Sequence, residues 1–459
     1  MERLSLSQIG LALEGEVIGA KDVYVDGVSI DTRTLKEGDL FIAIEGENFD
    51  GHNFLEDAFA KGAKAAIVAK NKAFESGNPL ILVEDTKRGL QSLANYYRNR
   101  FDIIVVGVTG STGKTTTKDM IYSVLSQKYK TLKTEGNFNN EIGLPLTLLR
   151  LDSSYQALVV EMGMRGLGQI RELAKIAQPD IGVITNVGYA HIEILKTKEN
   201  IAKAKSELIE SLGEEGFAIL NGDDPLVKDM EKISKGKVIN YGLKDYNKVK
   251  GSKLALSEDS DLQFELGVKD LTSNFKVKLP VPGKYNVYNA LAAVSVGISL
   301  NIDLEKIRDG LMNFELTELR NKVFDSKRAF KVINDTYNAN PTSMRAALDT
   351  LIDIGEGKKF AVLGDMLELG DVGLGEHRRL GQFLLNKGID YLFTYGDLAF
   401  YIGEGAKKAG MKESCIYSYQ DKEELVEDLL KKIKEGDTVL VKGSRGMELE
   451  DVSKALEER

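Results

Sequence analysis

The sequence predicts an α/β protein of three domains: a small N-terminal α/β domain, a central domain with a parallel sheet and a phosphate-binding loop, and a C-terminal Rossmann-like domain. A β-branched apolar run at 103–106 leads into a Gly/Ser/Thr loop and then a helix. Short apolar strands alternate with helical segments, and many strands end in glycine, acidic or basic residues. The 459 residues suit about two to four domains, and we place them at 1–84, 85–315 and 316–459.

The composition excludes several classes of protein. The formal net charge of −9 argues against nonspecific nucleic-acid binding, which needs a basic surface. A single cysteine, Cys415, excludes a disulfide framework and a cysteine-based zinc site. The first residues carry no basic-then-apolar signal, and no apolar run approaches the ~20 residues needed to cross a bilayer. We therefore expect a cytoplasmic protein without a membrane partner.

The N-terminal segment reads as a small α/β domain. Short strands are predicted at 23–25, 28–30, 40–44 and 65–68, with a helix at 54–61. Thr32, Arg33 and the polar loop at 45–52 could form the rim of a ligand site. From the residues alone, surface turns with an ion pair are the favoured interpretation. An amphipathic helix at 85–100 introduces the next domain.

The central domain is organised around the segment Thr109-Gly110-Ser111-Thr112-Gly113-Lys114-Thr115-Thr116. Backbone N–H groups of such a loop converge on an anion, and the dipole of the following helix, predicted from Lys118 to Leu125, favours it. Lys114 can reach the β- and γ-phosphates of a nucleotide, and the Thr115 hydroxyl can hold Mg²⁺. The strict pattern G-x-x-x-x-G-K-S/T fails at Val108, so a glycine-rich turn without a ligand is the alternative. Phosphate binding is the favoured interpretation.

Polar residues follow the next strands of this domain. Glu161 ends the strand at 157–160, where a carboxylate can hold Mg²⁺ opposite Thr115; a capping or surface role is the alternative. His191 follows the strand predicted at 181–187, and for it a structural role is as plausible as a metal or phosphate role. The lysines of the helix at 198–212 are expected to face solvent. Asn289 opens a helix, either as a cap or as a contact to a base or ribose.

The C-terminal segment reads as a second parallel sheet with one functional edge. Four strands end in polar residues, at 330–333, 359–363, 391–395 and 437–441. No second phosphate loop is present. We therefore expect an accessory domain that closes over the nucleotide site.

The phosphate loop at 109–116, including its missing first glycine, resembles that of the Mur ligases and folylpolyglutamate synthetases, and the resemblance covers all three domains. Three segments are similar to the Mur ligases that join D-alanyl-D-alanine to UDP-N-acetylmuramoyl-tripeptide. They are 334–344, 363–370 with Glu376-His377, and 38–44 with 46–52. The Asp-Asn-Pro-Arg string of the sister enzyme, which adds a diamino acid to the dipeptide substrate, is absent.

The resemblance implies an ATP-dependent amide-bond ligase that forms an acyl phosphate and uses two Mg²⁺ ions. It implies that Glu161 binds one Mg²⁺ and His191 serves the second. It also implies that Lys205 is carbamylated, with Lys203 as the alternative, which reverses the solvent-facing interpretation for that residue. A carbamate presents oxygen ligands, whereas a free ammonium would be repelled by Mg²⁺.

The resemblance assigns substrate contacts as well. It implies that Asn289 and Arg320 touch the adenine nucleotide and that Asp335 comes in from the third domain. Thr32 and Arg33, with the 45–52 loop, would hold the UDP moiety. Asn137 and Asn140 would contact the muramoyl substrate. The expected catalytic set is Lys114, Lys205, His191 and Asp335, and the expected state is a monomer.

Alternatives remain open. Within the ligases, they are the sister enzyme that adds a diamino acid to UDP-N-acetylmuramoyl-dipeptide, and a folylpolyglutamate synthetase. A P-loop motor or GTPase is disfavoured because no Asn-Lys-x-Asp string is present and Glu161 is the only acid comparable to a Walker-B residue. A nucleotide sensor would explain the loop, but not the polar strand ends in two domains.

Overall fold

A computed structural model describes residues 1–46, 49–72, 77–269, 275–315 and 322–459. Within these ranges the strands form four sheets, and helices connect most of them. The predicted mixed α/β class with largely parallel sheets is confirmed. No helix in these ranges combines the length and apolar character needed to span a bilayer.

The N-terminal part of the chain builds a two-stranded and a five-stranded sheet. Its elements are β1 (Leu4–Ser5), α1 (Leu6–Leu13), β2 (Glu16–Ile18), β3 (Tyr24–Val25), β4 (Gly27–Ser29), β5 (Asp39–Ile42), α2 (Leu55–Ala60), β6 (Ala65–Ala69) and β7 (Leu80–Val83). The larger sheet has the order β2-β7-β6-β5-β4, and only the β2–β7 pair is antiparallel. α1 begins with a capping box between Ser5 and Gln8, which satisfies two backbone N–H groups at its start.

The central part of the chain builds a nine-stranded sheet. Its first elements are α3 (Thr86–Arg98), β8 (Ile104–Thr109), α4 (Lys114–Leu125), β9 (Thr131–Lys133), α5 (Gly143–Leu148), β10 (Ala157–Glu161), α6 (Gln169–Ala177), β11 (Ile181–Ile184), α7 (Ile192–Leu195) and α8 (Lys198–Glu210). The others are β12 (Phe217–Asn221), α9 (Pro225–Lys228), β13 (Lys237–Gly242), β14 (Val249–Leu256), β15 (Leu262–Val268), β16 (Phe275–Leu279), α10 (Asn286–Ser299) and α11 (Leu304–Met312).

The order of this sheet is β16-β15-β14-β13-β12-β11-β8-β10-β9. From β14 to β9 all neighbouring strands are parallel, whereas β15 pairs antiparallel with both of its neighbours. The parallel strands β8, β10 and β11 are β-branched and almost fully buried, because helices cover both faces of the sheet. Strands β14 to β16 form the antiparallel end of the sheet.

The C-terminal part of the chain builds a six-stranded sheet. Its elements are β17 (Lys322–Asp325), β18 (Lys331–Asn334), α12 (Pro341–Ile354), β19 (Lys359–Gly364), α13 (Gly373–Leu384), β20 (Tyr391–Tyr395), α14 (Phe400–Ala409), β21 (Ile416–Tyr419), α15 (Lys422–Lys432), β22 (Thr438–Lys442) and α16 (Glu450–Glu458). The order is β17-β18-β22-β19-β20-β21, with antiparallel β17 at one edge of five parallel strands. The parallel sheet predicted here is confirmed.

Several predicted element bounds differ from the observed ones, and two of these differences lie beside the phosphate loop and the strand before His191. The helix predicted from Lys118 begins at Lys114, because Gly113 takes a left-handed conformation and ends the loop directly before it. The three threonines that follow Lys114 have low helix propensity, and packing overrides it. The strand predicted to reach Val187 ends at Ile184. The domain boundaries after residues 84 and 315 stay a prediction, which the placement of the sheets along the chain supports.

Candidate active site

The carboxyl ends of the central parallel strands face a cleft of about 1120 Å³, where open α/β sheets bind their ligands. Residues of the central and C-terminal domains line this cleft. The lining includes Asp85, Lys87 and Arg88 beside the start of α3; Ser111–Lys114, Glu161, His191 and Asn289 from the nine-stranded region; and Asp335, Glu368, Lys442 and Arg445 from the C-terminal region. The cleft is large enough for a ligand of nucleotide size.

The phosphate loop connects β8, in the interior of the central sheet, to α4. Gly113 has a φ of 77°, and a Cβ added there would lie 2.6 Å from Asn289 Oδ1, so only glycine fits without displacement. Asn186 fixes the loop: its Oδ1 accepts from Thr112 N at 3.0 Å, and its Nδ2 donates to Thr112 O at 3.1 Å. Lys114 Nζ donates to Gly110 O at 3.0 Å, so the amine lies against the loop. The loop is thus built to receive phosphate at the N-terminus of a helix.

Thr115 and Glu161 meet as predicted, although they lie far apart in the sequence. The Thr115 hydroxyl donates to Glu161 Oε2 at 2.7 Å, and both side chains are buried. Asn139 Nδ2 donates to Glu161 Oε1 at 2.9 Å, and Glu161 N donates to the Thr134 hydroxyl at 3.1 Å. A hydroxyl and a carboxylate are hard oxygen donors that suit Mg²⁺. Among the described residues, no group of three or more His, Cys, Asp or Glu side chains that could hold a metal is found.

The two lysines proposed for carbamylation lie in different environments on α8. Lys205 is 2% exposed, whereas Lys203 is exposed to solvent. The solvent-facing interpretation is therefore wrong for Lys205 and right for Lys203. Burial, together with the positive charge of Lys114, lowers the pKa of Lys205 well below its usual range. Within the described part of the chain, Lys205 makes no hydrogen bond or ion pair.

His191 lies at the boundary between the central and C-terminal regions. It follows β11 with a φ of 62°, directly before α7. Its Nδ1 lies 2.8 Å from Glu368 Oε2, which comes from the loop after β19. Contact with His191 lowers the pKa of Glu368 although burial opposes the shift. His191 thus lines the cleft as predicted, and Glu368 is a neighbour that sequence reasoning did not assign.

His377 contacts the backbone of the segment that carries Glu368 and holds it in position. His377 Nε2 accepts a hydrogen bond from Met366 N at 2.9 Å, and its Nδ1 lies 2.7 Å from Gly373 O. The Ser444 hydroxyl oxygen accepts from Leu367 N at 2.8 Å. The pattern requires a neutral imidazole, and burial lowers the pKa of His377 accordingly.

Asp335 lines the cleft as predicted and is bound by a lysine that sequence reasoning noted only as part of a strand end. Lys442, at the end of β22, is 1% exposed and pairs with Asp335 Oδ2. Its Nζ also donates to Asn338 O at 2.9 Å. The two strands β18 and β22 are parallel neighbours, so their carboxyl ends bring these residues together. The sequence feature that could have identified Lys442 is its position at the carboxyl end of a buried strand.

The other predicted substrate residues have mixed placements. Asn137 and Asn140 line the cleft, but Asn140 Oδ1 accepts from Gly143 N at 2.8 Å at the start of α5. Thr32 and Arg33 do not line it, and Arg33 is exposed and pairs with Asp31. This matches the surface-turn interpretation. Arg320 and two residues of the 45–52 loop, 47 and 48, lie outside the described residues.

Asn289 stands next to the phosphate loop and is buried. Its Oδ1 accepts from the Thr117 hydroxyl at 3.1 Å, and its Nδ2 donates to Asn286 Oδ1 at 2.9 Å. Asn289 therefore supports the loop from the side of α10. Neither side-chain bond is the helix cap considered from the sequence.

Three family descriptions match successive parts of the chain. "Mur ligase family, catalytic domain" matches residues 24–98, "Mur ligase middle domain" matches 108–297, and "Mur ligase, glutamate ligase domain" matches 319–445. A UDP-N-acetylmuramoyl-tripeptide–D-alanyl-D-alanine ligase from Bacillus subtilis is 41% identical over 438 residues, which is 95% of this chain and 94% of that protein. The chain belongs to the Mur ligase family. The resemblance read from the phosphate loop is confirmed.

Other relatives agree with this assignment. A ligase of the same description from Escherichia coli is 34% identical over 100% of this chain and 99% of its own length. A crystal structure of MurF from Acinetobacter baumannii matches with a TM-score of 0.92, 31% identity and full coverage of both chains. MurF from Thermotoga maritima in complex with ADP matches with a TM-score of 0.84 and 33% identity, over 94% of this chain and 97% of that one. These neighbours confirm the predicted three-domain architecture and the ATP-dependent ligase class.

Proposed function

We propose that this protein joins D-alanyl-D-alanine to UDP-N-acetylmuramoyl-tripeptide and converts ATP to ADP and phosphate in the same reaction. The observation that carries the proposal is the single cleft in which a phosphate loop meets Glu161, His191 and, from the C-terminal region, Asp335. The similar ligases, matched over nearly the whole chain, act on these substrates by their descriptions. We further propose that the protein acts as a monomer in the cytoplasm, where ATP and a nucleotide-linked substrate are both available.

The reaction begins with phosphoryl transfer. A carboxylate oxygen of the tripeptide attacks the γ-phosphorus of ATP, the bond to the β,γ-bridging oxygen breaks, and ADP leaves with its electron pair. The N–H groups of the phosphate loop bind the phosphates, and Lys114 neutralises the charge that develops on them. Because Lys114 lies against Gly110 O, a short movement of its amine suffices to meet the nucleotide. The product is an acyl phosphate, which is a much better electrophile than a carboxylate.

Amide formation completes the reaction. The amine of D-alanyl-D-alanine attacks the acyl carbon, and phosphate leaves from the tetrahedral intermediate with the electron pair of the broken C–O bond. The amine must lose protons during this step. Asp335 presents a carboxylate to the cleft and is positioned by Lys442, so we propose that it receives a hydrogen bond from the incoming amine. Walls from the central and C-terminal regions would exclude water and protect the acyl phosphate from hydrolysis.

Magnesium is part of the proposal. Thr115 and Glu161 would hold one ion, and His191 would serve a second. When bound, the ions neutralise phosphate charge and align the reacting oxygens. The oxygen donors of Thr115 and Glu161 lie 2.7 Å apart in a buried pair, which is the observation that supports this assignment.

We also propose that Lys205, and not Lys203, becomes carbamylated. The neutral amine attacks the carbon of CO₂, forms an N–C bond and loses a proton, which gives an anionic carbamate. Burial and the Lys114 charge favour the neutral amine, which is the reactive form. The anionic carbamate would attract a nearby cation, whereas the ammonium form of Lys205 would repel it. Incubation with ¹³C-bicarbonate should give a protein-bound carbamate signal in ¹³C NMR that Lys205→Arg removes and Lys203→Arg keeps.

The remaining substrate contacts stay proposals. Asn289 and Arg320 would contact the adenine nucleotide, and Asn137 and Asn140 the muramoyl substrate; Asn140 would use Nδ2, since its Oδ1 already accepts from the backbone. Thr32 and Arg33 would hold the UDP moiety. For that role, Arg33 would have to exchange its ion pair with Asp31 for a phosphate contact.

The deciding experiment measures ADP and phosphate release from the purified protein with UDP-N-acetylmuramoyl-tripeptide. Release that depends on D-alanyl-D-alanine and yields a pentapeptide product is the expected result. Release only with UDP-N-acetylmuramoyl-dipeptide and a diamino acid would replace the proposal by the sister reaction. Release only with a folate and glutamate would replace it by folylpolyglutamate synthesis.

A further inference from the structure

A second buried lysine, Lys118, lies one helical turn beyond Lys114 on α4. Its side chain is 1% exposed, and its Nζ donates to the backbone oxygen of Thr134 at 2.9 Å. It also lies 3.3 Å from Asp119 Oδ1. A buried ammonium costs free energy unless it is paired and hydrogen-bonded. The burial of Lys118 therefore requires a structural or functional explanation.

Neutralising Asp119 does not explain this lysine. Lys133 Nζ already lies 2.7 Å from Asp119 Oδ1, closer than Lys118 does. Two lysines thus share one buried carboxylate, and Lys133 is the closer of the two. The next acid that interacts with Lys118 is Glu161, whose negative charge acts to raise the pKa of Lys118 against the larger effect of burial.

Thr134 links Lys118 to Glu161 by hydrogen bonds. Lys118 holds the carbonyl oxygen of Thr134, and the hydroxyl oxygen of the same residue accepts from Glu161 N at 3.1 Å. Thr134 N in turn donates to Val159 O at 3.0 Å, which joins the residue to β10. Thr134 is fully buried and begins the loop that carries Asn139, the second partner of the Glu161 carboxylate. The position of Glu161 therefore depends on where Thr134 is held.

We propose that Lys118 is a positioning residue for Glu161: it anchors Thr134, whose hydroxyl oxygen in turn holds Glu161 N. The Thr115 and Glu161 oxygens are then in position before a nucleotide binds, so binding does not have to order these two side chains. Oxygen donors that are already held in position bind a cation more tightly. Loss of a residue that holds such donors lowers the metal affinity about 10–100-fold. The inference rests on the proposed function in so far as Glu161 acts at the metal–phosphate site.

The test compares Lys118→Met with Lys133→Met, which removes another cation beside Asp119 and whose side chain makes no hydrogen bond to Thr134 among the described residues. The Mg²⁺ concentration for half-maximal ligation is expected to rise about 10–100-fold in Lys118→Met and to stay within about 3-fold in Lys133→Met. The KM for the tripeptide substrate should not change in either variant. Calorimetric titration with Mg²⁺ and ADP should show the same loss of affinity without any need for turnover.

The outcomes separate the possible explanations. An equal shift in Lys133→Met would mean that charge balance at Asp119 is what matters, and a folded Lys118→Met with wild-type metal dependence would overturn the proposal. If Lys118→Met does not fold, Thr134→Val removes only the hydroxyl that accepts from Glu161 N, and it must weaken Mg²⁺–ADP binding at least about 10-fold. If the wild-type protein fails to ligate, the proposed function fails, but the Mg²⁺–ADP titration still decides on Lys118.

Discussion

Replacing Lys205 by methionine is expected to stabilise the protein while it abolishes ligation. The lysine is 2% exposed and makes no hydrogen bond or ion pair within the described residues. A buried polar group without a partner costs about 1–3 kcal/mol, and methionine fills a similar volume without that cost. In a domain of about 150–250 residues, each kcal/mol moves the midpoint of thermal unfolding by about 2–4 °C. The transition of the central region should therefore rise by about 2–12 °C.

The measurement is differential scanning calorimetry in CO₂-free buffer, because a carbamate on Lys205 would offset the cost in the wild-type protein. Ligation is followed separately as ADP release that depends on the dipeptide. Lys203→Met, on the exposed side of the same helix, is the matched control, and it should leave activity unchanged and stability within about 0.5 kcal/mol. A less stable Lys205→Met protein, or one that ligates at the wild-type rate, would refute the reasoning.

Three further predictions concern the walls of the cleft. Thr115→Val should lower dipeptide-dependent phosphate release by at least about 100-fold, whereas Thr115→Ser, which keeps the hydroxyl, should remain active; equal losses would contradict a role of the oxygen. Asp335→Asn leaves the Lys442 ammonium buried without its carboxylate and should destabilise the protein by about 3–5 kcal/mol in urea unfolding. A second change, Lys442→Met, should restore most of that loss, and failure to do so would mean that the pair is not the cause. Burial lowers the pKa of His377 from 6.5, so its contribution to stability is complete above about pH 6.5 and is lost as the pH falls through the folded pKa. The urea midpoint of the wild-type protein should fall between pH 7 and 5.5 more than that of His377→Gln, and equal slopes would show that His377 does not titrate there.

Much of the fold could be predicted because buried parallel strands are short β-branched runs that polar residues terminate. The strand at 391–395 has the predicted bounds, the one at 359–364 extends one residue further than predicted, and the one at 438–442 is shifted by one residue at both ends. The Thr115–Glu161 pair could be predicted for the same reason, since β8 and β10 are parallel neighbours whose carboxyl ends meet at one edge. Residues that are far apart in the sequence therefore lie close together when they follow neighbouring parallel strands.

The contacts that differ from expectation depend on tertiary packing. In α8 the helical spacing places Lys205 on the same face as Ile201, Leu208 and Ile209, a signal that the solvent-facing interpretation did not use. Three asparagines at 137, 139 and 140 look alike in the sequence, yet Asn139 is the one that binds Glu161. Lys442 and Asp335 are 107 positions apart and meet only because β22 inserts beside β18. Such pairings require the strand order, which the sequence pattern alone did not specify.

The contact between His191 and Glu368 has a consequence for inhibition. The two side chains lie on segments that follow strands of different sheets, and His191 Nδ1 is 2.8 Å from Glu368 Oε2. A small molecule bound between them would hold the two segments apart. Such a compound would need no likeness to ATP or to the peptide, because it would hold two walls of the cleft apart instead of filling a substrate site. The same contact would be absent from any fragment of the chain that contains only one of the two sheets.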